Sequence, residues 1–121
     1  MDNAFGSYVR ERREALRATD PRFSVRQVAA RIGVQPSYLS KIERGEQPPP
    51  SEQRIVALAD DLGEDRDVLL ALAGKVSSDL QRIIRGRPQL FAELIRELKD
   101  LPDQAVEAVV QEAREVRDGE W

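Results

Sequence analysis

The stretch from Phe23 to Gly45 reads FSVRQVAARIGVQPSYLSKIERG, and the fold follows from how it must bend. Ser24 has the hydroxyl of a helix N-cap, and Val25, Val28, Ala29 and Ile32 recur at helical spacing on one face. Gly33 stands where that helix must stop in a left-handed turn. A second short helix is predicted over about Gln35–Arg44, with Pro36 tolerated in its first turn and Gly45 closing it. Ala29 is small where the two helices cross. Val28, Ile32, Val34, Leu39 and Ile42 make the apolar seam between them. Gln35, Pro36, Ser37, Tyr38, Ser40, Lys41 and Arg44 are left off that seam, on the leading end and outer face of the second helix.

Outward from this unit the pattern stays helical, with no sustained alternation of period two. On the N-terminal side a helix is expected over about Phe5–Ala18, with Val9 and Leu16 inward and a break at Thr19-Asp20-Pro21-Arg22. On the other side Glu46-Gln47-Pro48-Pro49-Pro50 reads as a stiff extended connector. Ser51 then caps a helix over about Glu52–Leu62, carrying Ile55, Leu58, Ala59 and Leu62, and Gly63 follows it. The next helix, about Asp65–Ala73, carries Val68, Leu69 and Leu72 and ends before Gly74. Three more are expected at about 78–85, 88–99 and 102–117. Their stripes are Leu80, Ile83 and Ile84; Leu90, Phe91, Leu94, Ile95 and Leu98; and Val106, Val109, Val110, Ala113 and Val116. The fold class is therefore all-α, with a domain over residues 1–74 and a helical segment over 75–121.

Composition narrows the function. The 121 residues are 40% hydrophobic and 34% charged, as in a soluble folded chain. No apolar run approaches the length of a membrane span, so no membrane partner is expected. The opening MDNAFGSYVRERREAL lacks the apolar core of a signal peptide, which makes a cytoplasmic location the expectation. Cysteine and histidine are both absent. That removes disulfides, thiol chemistry, the usual zinc ligands and the common general base. Phosphate-cradling glycine loops are missing as well. No enzyme, metal or cofactor is expected. The net charge of −3 conceals an asymmetry. Residues 1–50 carry nine Lys/Arg against six Asp/Glu, and residues 51–121 carry ten against sixteen. One end is suited to a polyanion and the other to a different task.

The 23–45 stretch resembles the Cro/phage-repressor (Xre) helix-turn-helix family. Phe23, Ser24, Val28, Ala29, Gly33, Val34, Leu39, Ile42, Glu43 and Gly45 match its pattern, and the likeness runs through about residues 5–73. The resemblance implies a five-helix, lambda-repressor-like domain that binds operator DNA, usually as a dimer on a palindrome. It places Gln35, Pro36, Ser37 and Lys41 at positions that touch base edges. Tyr38 and Ser40 flank them, aimed at backbone or thymine methyls. Arg26 and Arg44 fall where phosphate contacts occur, and Arg17 and Arg22 add phosphate contacts from a longer loop. Arg13 and Glu43 match a structural buried ion pair. Two positions depart from the family: many members carry a phosphate-clamping Gln where this chain has Val25, and Pro36 replaces a residue that often donates to bases.

Three short helices with strong apolar stripes bury them poorly alone. Residues 76–117 are therefore expected to pair with a second copy, the last two helices forming a hairpin against its twin, or to dock on the first domain. A transcriptional repressor acting as a homodimer is the leading expectation. The alternative is a DNA-binding antitoxin whose C-terminal helices seize a protein partner such as a toxin. The resemblance also implies, for some members with such a tail, a metallopeptidase that cleaves the regulator. A helical docking module without DNA binding is the third possibility. It conflicts with the basic N-terminal half.

Overall fold

The computed structural model describes residues 3–119, all of whose regular elements are helical. Helix α1 spans Ala4–Arg17, and a 3-10 turn covers Pro21–Phe23. They are followed by α2 (Val25–Ile32), α3 (Pro36–Glu43), α4 (Glu52–Leu62), α5 (Arg66–Leu72), α6 (Ser78–Gly86), α7 (Pro88–Leu98) and α8 (Asp103–Arg117). The chain divides into two compact units, one closing at Leu80 and the other beginning at Gln81.

Local chemistry sets the boundaries of the first unit. The Ser24, Ser51 and Asp65 side chains accept from backbone N–H groups in the first turns of α2, α4 and α5, satisfying donors that a helix start leaves orphaned. The break after α1 is itself structured: Asp20 caps the 3-10 turn by accepting from the Arg22 N–H. Gly33 ends α2 at φ 77°, a conformation that costs a residue with a Cβ about 1–2 kcal/mol. Gly6 serves a different end. A Cβ there would collide with the carbonyl oxygen of Ile42, so its absence lets α1 cross the end of α3 at backbone contact.

The core is continuous through these five helices. Phe5, Val9, Val28, Ala29, Ile32, Leu39, Ile42, Ile55, Leu58, Ala59, Leu62, Leu69 and Leu70 are buried together. Within α5 the expected inward set needs correction: Val68 is 49% exposed and Leu70 is buried instead. A seven-residue helix has fewer than two turns, too few to fix the phase of its stripe from spacing alone. Residues 75–80 belong with this unit. The Lys75 ammonium donates to the Pro50 carbonyl at 2.9 Å, and the N–H and hydroxyl of Ser78 donate to the Glu52 carboxylate at 3.1 and 2.8 Å.

The second unit has no such core among its described residues. No described residue of α7 or α8 is buried, and the two helices do not pack extensively on each other, so the expected hairpin is not closed within one chain. Phe91, Leu98 and Val106 are half-buried, whereas Leu90, Leu94, Ile95, Leu101, Val109, Val110 and Val116 are exposed.

Candidate nucleic-acid interface

α2 and α3 meet across Gly33-Val34-Gln35, and α3 rests on the core through Leu39 and Ile42. Only one side of an eight-residue helix can be held this way. The opposite side of α3 therefore faces solvent. Gln35 stands at its N-cap in extended conformation, exposed and without a side-chain capping bond among the described residues. Ser37, Lys41 and Arg44 are exposed along the same helix, and Ser40 is half-buried between them. Pro36 is half-buried at the first turn. Tyr38 is half-buried too, its ring packed against the core, so it supports the helix with its body.

A buried ion pair fixes the far end of α3. The Arg13 guanidinium donates to both Glu43 carboxylate oxygens, Nε to Oε2 at 2.7 Å and Nη2 to Oε1 at 2.9 Å. Both side chains are nearly inaccessible, at 2% and 4% exposure. Arg13 also donates to the Phe23 carbonyl at 3.1 Å. One guanidinium thus joins α1, the end of α3 and the residue leading into α2. Its pKa is raised, first by the hydrogen bonds to Glu43, against the opposing effect of burial. Arg54 ties α4 to the same motif by donating to the Ile32 carbonyl at the end of α2. Arg31 does so by pairing with Asp61 at 2.6 Å while lying over the Phe23 ring.

The cations expected at phosphates, and Lys41 expected at base edges, fall into two groups. Arg22 is held by Asp20 at 2.8 Å, Arg17 approaches Glu14 at 3.6 Å, and Arg44 pairs with Glu46 at 2.6 Å. All three are surface pairs, of the kind that adds little to stability, so exchange for a phosphate is inexpensive. Arg26 and Lys41 are exposed and form no ion pair among the described residues. Arg10 likewise forms no ion pair among the described residues. Its place on α1, outside the two-helix motif, gave the sequence reading no reason to single it out. The spacing 6-10-13, which puts it on the same helix face as Gly6 and Arg13, was the available signal.

A family model described as a helix-turn-helix domain matches residues 4–72. The chain belongs to the helix-turn-helix domain family. No curated protein and no solved structure matches it. In helix-turn-helix motifs the second helix is the recognition helix, and α3 holds that position here. The family match ends with α5, so α6–α8 lie outside it. Among the described residues no group of His, Cys, Asp or Glu could hold a metal ion, and no helix is long and apolar enough to cross a membrane.

Proposed function

We propose that this helix-turn-helix protein is a sequence-specific transcriptional regulator, a repressor that acts as a homodimer on a palindromic operator. The observation carrying this reading is the exposed leading edge of α3. Gln35, Ser37 and Lys41 are unobstructed there, on a helix anchored from behind by Leu39, Ile42 and the Arg13–Glu43 pair. Lys41 donates to guanine O6 and N7, and Gln35 and Ser37 read adjoining base edges, each good bidentate contact discriminating by about 1–3 kcal/mol. Pro36, Tyr38 and Ser40 shape the surface between these readers, Tyr38 and Ser40 reaching backbone or thymine methyls. Arg26, Arg44, Arg17 and Arg22 supply the salt-dependent phosphate contacts that hold the domain in register.

One small domain offers little contact area, so two copies on a two-fold site are required, with half-sites about 34 Å apart or a multiple of that. Residues 76–117 supply the pairing, because most of their large apolar side chains stay exposed. Selection of bound duplexes from a random library tests the whole reading. A palindromic consensus is the expected outcome, and failure to enrich any sequence would sink sequence-specific regulation. If the purified chain carries a stoichiometric foreign protein on α6–α8, the antitoxin reading replaces the homodimer.

A further inference from the structure

Arg10, Val25, Ser40 and Arg44 surround a shallow depression beside the recognition helix, with the Arg13–Glu43 pair also in its lining. The charges around it do not cancel. Glu43 is matched by Arg13 in both oxygens. Glu14, the remaining carboxylate of the lining, is held by Arg13 at 3.1 Å and approached by Arg17 at 3.6 Å. Arg44 is matched by Glu46. Arg10 is left over: an exposed guanidinium without an ion-pair partner among the described residues. Glu11 lies beside it in an adjoining hollow but does not bond to it. The depression thus offers a fork of N–H donors from α1, the Ser40 hydroxyl from α3 and a second guanidinium at Arg44.

We propose that this depression is a phosphate subsite, in which Arg10 holds a phosphodiester of the duplex strand flanking the recognition helix. The inference rests on the DNA-binding reading and extends it to α1, a helix outside the two-helix motif. Arg10 is the principal donor. Of the two roles given to Ser40 above, the backbone contact is the one made here, on the same phosphate, and Arg44 joins it by leaving Glu46. A phosphate is the fitting anion because a guanidinium fork matches two of its oxygens, and a hydroxyl supplies a third donor. The contact positions the domain and carries no sequence information.

The test uses the full chain and a fluorescent random-sequence duplex, titrated by anisotropy across a salt series. Arg10→Ala is expected to lose affinity on the order of fivefold at about 0.15 M salt, and to make the slope of log K against log salt shallower by about 0.9. Arg10→Lys should keep the slope, and Glu11→Gln should tighten binding by removing a like charge beside the phosphate. The Arg10 side chain is exposed and bonds to no described residue, so circular dichroism should find both Arg10 variants as stable as the parent. Wild-type binding with an Arg10→Ala curve that overlays it in affinity and slope would overturn the subsite alone. A wild-type chain that binds no duplex at any salt would remove the DNA-binding reading itself. Saturable uptake of inorganic phosphate that depends on Arg10, with no effect of Arg10→Ala on duplex binding, would reassign the depression to a free anion and overturn the proposal.

Discussion

At the level of single residues, the Arg13 side chain joins more of the motif than any other. Three parts of the chain meet on it, and its charge is buried with that of Glu43. Removing one partner leaves the other charge buried and uncompensated. Arg13→Met or Glu43→Leu should therefore cost about 3–5 kcal/mol in urea denaturation, while the double replacement should recover most of the loss. A double variant as unstable as the singles would show that an unpaired buried charge is not the source of the loss. The exposed Asp20–Arg22 pair behaves differently. Asp20 is held below the usual carboxylate range, first by the hydrogen bond from the Arg22 side chain and then by the Arg22 backbone N–H. A lowered folded-state pKa means that its stabilisation is present above the unfolded-chain value and fades as pH falls through the folded one. Asp20→Asn should flatten that acid-side decline in a pH series of denaturation curves. An unchanged pH profile would mean that the pair has no energetic role.

For whole elements, the recognition helix gains its precision from what lies behind and before it. Ser24 accepts from the Gln27 N–H at 3.2 Å and so fixes where α2 begins. Ser24→Ala should lower stability by about 1 kcal/mol, read as a shift in the denaturation midpoint, with Ser24→Asp restoring it. On the outer face, Lys41→Ala should weaken operator binding far more than binding to random duplex. Equal losses on both would make Lys41 a phosphate contact. Helices α1–α4 could be read from the chain because their signals agree: Ser24 and Ser51 as caps, Gly33 and Gly63 as stops, and stripes long enough to fix a phase. The inward face of α5 is not legible at Val68, because so short a helix does not fix its phase. The structured turn at Asp20–Phe23 was read only as a break, since its cap is a contact two residues long. In the interface, the unobstructed edge of α3 followed from residues left off the apolar seam. Arg10 did not, because its relation to Ser40 and Arg44 exists only once α1 is folded across α3 at Gly6. The pairing of Arg22, Arg17 and Arg44 with nearby carboxylates was equally invisible, since a list of cations does not say which are already matched.

On the scale of the whole molecule, the two units pose opposite energetic problems. The first buries its apolar side chains and closes with Lys75 and Ser78 bonded back onto Pro50 and Glu52. The second leaves Leu94 and Ile95 of α7 exposed at 42% and 57%, with Val109 and Val110 of α8 exposed as well. Apolar side chains spaced along two helices carry a standing cost in water, and each that becomes fully buried contributes about 1.5–3 kcal/mol. Pairing of two chains through this surface would recover that free energy and place two recognition helices on one duplex. Linkage then makes operator affinity depend on protein concentration in the range where the dimer dissociates. A double change, Leu94→Glu with Ile95→Glu, puts like charges into both halves of such an interface and leaves the first unit untouched. Sedimentation equilibrium should find the parent dimeric and the variant monomeric. The variant should still bind random duplex through its phosphate contacts but lose most of its preference for a palindrome over a single half-site. If the parent is already a monomer at every concentration, the homodimer is wrong. If both chains are dimers of equal strength, the pairing surface lies elsewhere, and α7 must be covered by some other partner.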